Sequence, residues 1–258
     1  MFNVVACCIV AISVALAVGS PVPVPVGSGI YQNFFQGDIK LSNKQKAILS
    51  APKNDSSRTG WTYPSFRWQK NELGHVIVPF NVDAREGFTG SEIEWMNAEF
   101  RTIEARTCIR FVQRTTQPDF VDIINGDGCW SWLGRQGGRQ EMSIGRGCVS
   151  PGIAVHEAVH ALGYDHMHND VERDRFVRIL WQNIDPNFHF AFDIVDPQWF
   201  SNFGTPYDLR SVVHYARWAF SNNGLDAIQT LDSSYIDIIG QTRLSDGDVL
   251  RLNRMYEC

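Results

Sequence analysis

Lysine is almost missing from this 258-residue chain after its first 58 residues. From Thr59 onward Lys70 is the only lysine, and 18 basic residues face 26 acidic ones, a net charge of −8. This balance excludes the basic surface that nucleic-acid binding needs, so no nucleic-acid partner is expected. Charged residues are only 20% of the chain and hydrophobic residues 44%, which excludes an intrinsically disordered protein.

Long hydrophobic runs are also missing, except near the start. The run 4–18 is too short to span a bilayer comfortably and is followed by the small residues Gly19 and Ser20. We therefore interpret residues 1–20 as a secretory signal peptide, with an N-terminal anchor helix as the alternative. The mature protein is expected to be secreted and extracellular, without a membrane partner and as a monomer.

Cysteine is scarce, and its placement is informative. Two of the six cysteines lie in the predicted signal peptide, and the other four are Cys108, Cys129, Cys148 and Cys258. An even number of cysteines in a chain bound for an oxidising compartment predicts two disulfides.

Residues 21–58 differ in composition from the rest of the chain, and we interpret them as a propeptide. They contain a Pro-Val alternation, several lysines and a polar end, and such a segment cannot bury a core of its own. The N-glycosylation sequon at Asn54 marks exposed backbone. Activation is expected by a trypsin-like protease that cleaves after Arg58, so that the peptidase domain begins at Thr59; Arg67 is the less favoured cleavage site.

The remaining chain has the pattern of an α+β domain. A helix is predicted to begin at Ser91, with Glu94 completing a capping box, and a terminal helix is predicted to begin near Ser245. The rest of the second half, from about residue 166, has an irregular pattern. Strands are predicted at 76–80, 108–113, 119–125 and 142–144.

Residues 156–166 have the pattern of a metal-binding site. His156 and His160 are four residues apart, so on a helix they share a face and can bind one metal ion. Gly163 can end that helix and turn the chain so that His166 reaches the same ion. Three imidazoles leave a zinc ion open to water, as in catalytic sites, and Glu157 is placed to take a proton from that water.

With these residues, several further motifs resemble the astacin family of zinc endopeptidases, within the metzincin group, from Phe35 to Cys258. The resemblance implies two subdomains that face a cleft. The first would hold a twisted mixed sheet with two long helices, and the second would be irregular with a terminal helix. The further motifs are Phe35-Gln36-Gly37-Asp38, Gly128-Cys129-Trp130-Ser131 with Cys148, Glu172-Arg173-Asp174, and Ser211-Val212-Val213-His214-Tyr215.

The resemblance also implies roles for particular residues. Tyr215 would be an additional zinc ligand that can swing away and stabilise the oxyanion. Asp38 would occupy the zinc in the zymogen. The disulfides would join Cys108 to Cys258 and Cys129 to Cys148.

Together these features predict a secreted zinc endopeptidase that binds one Zn²⁺ and is made as a zymogen with an aspartate switch. Its substrate would be an extended polypeptide, paired antiparallel with an edge strand near 142–144. The alternatives are a zinc-binding secreted protein without turnover and a zinc hydrolase with a non-peptide substrate.

Two positions depart from the family pattern. Val213 stands where the family has a methionine that packs beneath the metal. Met167 stands where the family has a glutamate that pairs with the new N-terminus. Asp165 or Asp170 could compensate, or the N-terminus could be more exposed.

Three side chains near these motifs also have simpler interpretations. His168 and His214 are predicted to be structural, because three histidines and Tyr215 already complete a zinc site. Asp208 could orient a metal ligand, or it could cap a loop.

Overall fold

A computed structural model of the protein describes residues 31–50, 64–82, 84–145, 147–197 and 199–258. The predicted signal peptide, the sequon at Asn54 and the cleavage site between Arg58 and Thr59 lie outside the described residues.

The described residues form α-helices and β-strands joined by loops and short 3-10 turns. In chain order these are β1 (Ile39–Lys40), α1 (Asn43–Leu49), β2 (Val76–Val82), α2 (Gly90–Glu104), β3 (Ile109–Gln113), β4 (Phe120–Ile124), β5 (Cys129–Trp132), β6 (Arg139–Ile144), α3 (Ile153–Ala161), β7 (Val177–Ile179), β8 (Ile228–Thr230) and α4 (Asp246–Tyr256).

A six-stranded sheet forms the first part of the fold, in the order β1-β5-β6-β4-β2-β3. Strand β5 is antiparallel to β6, and the other neighbours are parallel, so the sheet is mixed as predicted. The prediction of an edge strand at 142–144 is wrong, because β6 lies between β4 and β5. Strand β5 is next to the edge, and β1, from the segment predicted to be a propeptide, covers it.

Helix α2 packs against this sheet through an apolar stripe. Met96, Phe100 and Ile103 recur at helical spacing and are buried in the same core as α3. The capping residue is Thr89, two residues before the predicted Ser91, because Thr89 has the extended backbone of an N-cap and forms the capping box with Glu92.

Helix α3 carries the histidine motif and is shorter than the long helix expected. Its nine residues end just before Gly163, whose backbone has a φ of 109°, a conformation that favours glycine. An added Cβ there would lie 2.8 Å from the Met255 side chain, so the same glycine also permits close packing against α4.

The second part of the chain has its own core. The two-stranded β7-β8 ribbon and several short turns surround an aromatic cluster that includes Phe188, Phe192 and Phe220. Helix α4 begins at the predicted position, where Ser245 and Asp248 form a capping box, and it packs on the first core. The α+β prediction is confirmed, and the two larger of the three buried clusters agree with two subdomains. The third and smallest cluster joins residues near β1 and β5, among them Ile39 and Leu133, to Trp199 and Phe200. Within the described part of the chain, none of the helices combines the length and apolar character that crossing a bilayer requires.

Two disulfides join the pairs that the family resemblance implies. Cys108 is bonded to Cys258 across a separation of 150 residues, and Cys129 to Cys148 across 19. The first ties the start of β3 to the chain end beyond α4, and the second ties β5 to the loop before α3.

Removing the long-range disulfide is expected to destabilise the fold more than removing the short one. The loop-entropy model gives about 5 kcal/mol for Cys108→Ser with Cys258→Ser, and about 3 kcal/mol for Cys129→Ser with Cys148→Ser. Denaturant unfolding of the two paired variants measures the difference. An equal loss of unfolding free energy would contradict the entropic account.

Candidate metal centre

Three imidazoles converge at the end of α3. His156 and His160 share one helix face, and their Nε2 atoms lie 2.9 Å apart. After the turn at Gly163, His166 approaches from another direction, with its ring centroid 5.3 Å from that of His156 and 4.6 Å from that of His160. The structure therefore brings together the three histidines that the spacing predicts as ligands.

The hydrogen bonds of these rings define their tautomers. The Nδ1 atom of His156 lies 2.8 Å from the Val212 carbonyl oxygen, and that of His160 lies 2.6 Å from the Tyr164 carbonyl oxygen. A carbonyl oxygen only accepts, so each Nδ1 carries a proton and donates it. In the neutral rings each Nε2 then keeps a lone pair that points into the site.

The third ring has the same arrangement through the side chain of Gln36. The Gln36 amide oxygen accepts from the backbone N–H of His166 and, at 3.1 Å, from its Nδ1. The backbone N–H can only donate, so it identifies this amide atom as the oxygen. His166 therefore also directs the lone pair of Nε2 inward.

Burial is the largest influence on the pKa of His160 and of His166 and lowers both. The neighbouring imidazoles lower these pKa values further, and the Asp38 carboxylate acts in the opposite direction. The Nε2 atom of His166 is buried and has no hydrogen-bond partner. Such an orphaned acceptor beside other lone pairs is what a bound cation would satisfy.

Asp38 completes the donor set. Its Oδ2 lies 3.4 Å from His156 Nε2 and 3.3 Å from His166 Nε2, and its Oδ1 lies 3.9 Å from His160 Nε2. All four donor atoms lie within 4.8 Å of one another, and nitrogen with carboxylate oxygen is a donor set that suits Zn²⁺. Burial acts to raise the pKa of Asp38, whereas the charge and hydrogen bonds that His166 and His156 supply to the carboxylate when protonated lower that pKa well below its usual range.

Glu157 lies beside this donor set. Its side chain is buried, and its Oε2 has no hydrogen-bond partner. Burial raises the pKa of Glu157 well above its usual value, and the charge of Asp38 raises it further.

Tyr215 contacts the segment that precedes β1. Its hydroxyl donates to the main-chain oxygen of Gln36, and its ring stacks on His168 with centroids 3.9 Å apart. Burial raises the pKa of Tyr215 well above its usual value, and the nearby carboxylates raise it further. The hydroxyl is held by Gln36 here, so the role of Tyr215 as a metal ligand stays a prediction.

Sequence reasoning missed Gln36. This residue holds both His166 and Tyr215, and it has a φ of 51°, which is uncommon for a residue other than glycine. It lies within the Phe35-Gln36-Gly37-Asp38 motif, in which the sequence indicates a metal-site role for the aspartate alone.

Of the two interpretations offered for Asp208, its contacts favour the loop cap. Asp208 accepts from Ser245 Oγ at 2.6 Å and from the backbone of Arg210, so it caps a loop. The aspartate that supports a ligand is Asp248, which accepts from Ser211 Oγ at 2.6 Å and from the Val212 N–H at 2.9 Å. The carbonyl of the same Val212 accepts from His156.

The residues that depart from the family pattern are buried. The Val213 carbonyl accepts from the Met167 N–H at 3.0 Å, and the Met167 sulfur lies 3.1 Å from an Arg251 guanidinium nitrogen. Burial raises the pKa of Asp165 to about 7. Compensation by Asp165 or Asp170 stays a prediction, because the expected new N-terminus lies outside the described residues.

The two additional histidines make structural contacts. His168 Nε2 lies 3.1 Å from the Ala191 carbonyl oxygen, and His214 Nε2 lies 2.8 Å from the Tyr207 hydroxyl. Neither belongs to the group of converging donor atoms.

Three neutral imidazoles beside a buried glutamate on one helix define a zinc hydrolase centre of the catalytic type. Residues 62–257 match the family model described as Astacin, a peptidase family. The chain belongs to the astacin family. It is a zinc metalloendopeptidase, and the peptidases of this family use one zinc ion.

Individual relatives agree with this assignment. High choriolytic enzyme 1 of Oryzias latipes is 38% identical over 212 residues, which cover 81% of this chain and 76% of that protein. Zinc metalloproteinase nas-6 of Caenorhabditis elegans is 34% identical over 225 residues, 87% of this chain and 63% of that protein. The solved structure of the first, a hatching enzyme zinc-protease, matches with a TM-score of 0.70 and covers 81% of this chain and 100% of that chain.

We expect Asp248→Asn to weaken zinc binding by about tenfold, as typical losses of supporting hydrogen bonds do. The asparagine oxygen can accept from the Val212 N–H, but its amide nitrogen can only donate to Ser211 Oγ. The charge-assisted bond from Ser211 is therefore lost, the bond from Val212 becomes a weaker neutral one, and the support of His156 loosens. Asp208→Asn is the matched control. It alters the same kind of carboxylate–serine hydrogen bond, but its partner Ser245 does not support a metal ligand. Competition with a zinc chelator measures both, and equal affinities would contradict the assignment.

Proposed function

We propose that this peptidase is secreted as a zymogen in which Asp38 blocks the metal site. The observation that carries the proposal is the Asp38 carboxylate among the three Nε2 atoms. The depth of the contact supports it, because the propeptide residues Tyr31 and Ile39 are fully buried against the peptidase domain. Gly37 supports it too, since an added Cβ there would lie 2.8 Å from the Tyr215 hydroxyl.

His156, His160 and His166 would hold the zinc ion. Asp38 would be its fourth ligand in the zymogen, and Tyr215 would be an additional ligand after the propeptide has left. When bound, zinc supplies a Lewis acid that polarises the peptide carbonyl and lowers the pKa of water.

Glu157 is the proposed general base. Its carboxylate would take the proton of the attacking water and then donate it to the leaving nitrogen of the cleaved peptide bond. Its buried, unpartnered oxygen supports this role. Departure of Asp38 would remove a charge that raises the pKa of Glu157, and so would favour the basic form.

Tyr215 would stabilise the oxyanion that forms on the substrate. In the zymogen its hydroxyl is held by the Gln36 carbonyl, so the same departure would release a hydrogen-bond donor beside the reacting carbonyl.

The substrate would be an extended polypeptide that replaces β1 at the edge of the sheet. Once β1 has left, the backbone of β5 is free to pair with an incoming strand, and we propose antiparallel pairing. Activation would require cleavage after Arg58 by a trypsin-like protease. The two disulfides favour an oxidising, extracellular location, and we propose a monomer.

Glu157→Gln is expected to keep stoichiometric zinc and lower peptidase activity by several orders of magnitude, because an amide cannot accept the proton of water. His160→Ala is the contrasting variant and should lose zinc together with activity. Metal analysis and turnover of one peptide substrate measure both. Turnover by Glu157→Gln at the unaltered rate would refute the general base, and full zinc in His160→Ala would refute the ligand.

The intact precursor is expected to be inactive, whereas the trypsin-treated protein and the Asp38→Ala precursor should both be more active. Alanine cannot ligate the metal, so the uncleaved segment would be held less firmly and would leave the site in a fraction of the molecules, although its other contacts remain. The double variant Asp38→Ala with Glu157→Gln is the control that attributes activity to this centre. Equal activity of the intact precursor and the cleaved protein would exclude latency.

A further inference from the structure

A lysine of the propeptide lies in an aromatic cage. The Nζ atom of Lys40 lies 3.3 Å from the centroid of the Trp130 ring, 5.4 Å from that of Phe34 and 5.8 Å from that of Trp132. Positions over such ring faces attract cations. Lys40 is only two residues beyond Asp38, so the same short segment enters both the cage and the metal site.

Most of this cage belongs to the peptidase domain. Trp130 and Trp132 are alternate residues of β5 and therefore lie on one face of the sheet. The indole N–H of Trp130 donates to the Asp127 carbonyl at 3.0 Å, so its ring is held independently of Lys40. Both tryptophans would remain at the edge strand after the propeptide has left.

The neighbouring charges also favour a cation. Lys40 pairs with Trp132 in the register of β1 and β5, and Glu141 of β6 lies opposite Trp132, one step beyond the Ser131–Met142 pair. The carboxylate is therefore a cross-strand neighbour of the cage on the same face of the sheet. Arg139 binds Glu141 at 2.9 Å and Asp122 at 2.7 Å. Two carboxylates therefore share one guanidinium, and these three groups carry a net charge of −1.

We propose that Trp130, Trp132 and Glu141 form a subsite for a lysine or arginine side chain of the substrate, which Lys40 occupies in the zymogen. The inference rests on the proposed function, because it needs a polypeptide to replace β1. Strand β1 runs parallel to β5, whereas the proposed substrate runs antiparallel. The basic residue would then be the second or third residue before the cleaved bond.

The first test uses the activated enzyme and a synthetic peptide with the sequence of residues 31–42. The native peptide should inhibit about three- to tenfold more strongly than its Lys40→Met form, a ratio that matches a partly desolvated cation–π contact. Methionine keeps the length and the apolar stem without the charge. Equal inhibition by the two peptides would overturn the proposal, and this comparison needs no altered enzyme.

Enzyme variants then locate the effect. In Trp130→Leu, which removes the ring nearest to Lys40 Nζ, the inhibition ratio should fall close to one, and in Trp132→Leu and Glu141→Gln it should decrease. Trp181→Leu is the control, because Trp181 is a 40% accessible tryptophan whose ring contacts Phe192 of the second core instead of the cage. A full ratio in Trp130→Leu would place the lysine contact elsewhere and overturn the assignment.

Substrate cleavage tests the inference directly. Peptides that differ only in Lys, Arg, Gln or Glu at the second and third residues before the cleaved bond should show about three- to tenfold higher kcat/KM for Lys or Arg at one position. Trp130→Leu should abolish this preference, and Trp132→Leu should reduce it. Cleavage of all peptides at equal rates would overturn the subsite alone, whereas failure of the activated enzyme to cleave any peptide would overturn the proposed function.

Discussion

The structure depends on three imidazole nitrogens whose lone pairs point to one place. His156, His160 and His166 each donate Nδ1–H to an oxygen, so each must direct an unprotonated Nε2 into one small space. Three acceptors that face one another in a buried site are unfavourable unless a cation lies among them. Helix α3, the turn at Gly163 and the Ser211–Val212 turn hold this arrangement. A bound metal ion would offset its cost, because it would accept all three lone pairs.

The support of this centre comes from parts of the chain that are far apart in sequence. The backbone carbonyls of Val212 and Tyr164 hold two of the rings. The main chain fixes the position of these carbonyls, so they have no rotamers to change. Behind Val212, Asp248 at the start of α4 holds the turn through two hydrogen bonds. The capping box of the terminal helix therefore contributes to the position of His156 as well as to the helix itself.

Local spacing in the sequence was enough to predict the histidines, the turn at Gly163 and the start of α4. Local spacing did not predict residues whose roles depend on contacts with distant parts of the chain. Gln36 contacts His166 across 130 residues, and Asp248 contacts Val212 across 36, so neither partner is visible from a motif. Strand β5 was missed because its few residues resemble a disulfide loop, and they become a strand only by pairing with β6 and β1. That omission also produced the mistaken edge at 142–144.

The Gln36–Asp38 segment contacts several groups that the proposed chemistry needs at the same time. Asp38 lies among the imidazoles, Gln36 holds the Tyr215 hydroxyl, and Asp38 also raises the pKa of Glu157. Gly37 passes so close to Tyr215 and Phe220 that a Cβ would lie 2.8 Å from each, so the segment and a displaced tyrosine cannot share this space. On the proposed mechanism a single departure therefore frees the metal face, the oxyanion donor and the base together. For partial activation, Asp38 would have to leave the imidazoles while Gln36 still held the Tyr215 hydroxyl. Only one residue separates Gln36 from Asp38, so the two contacts cannot easily be broken separately.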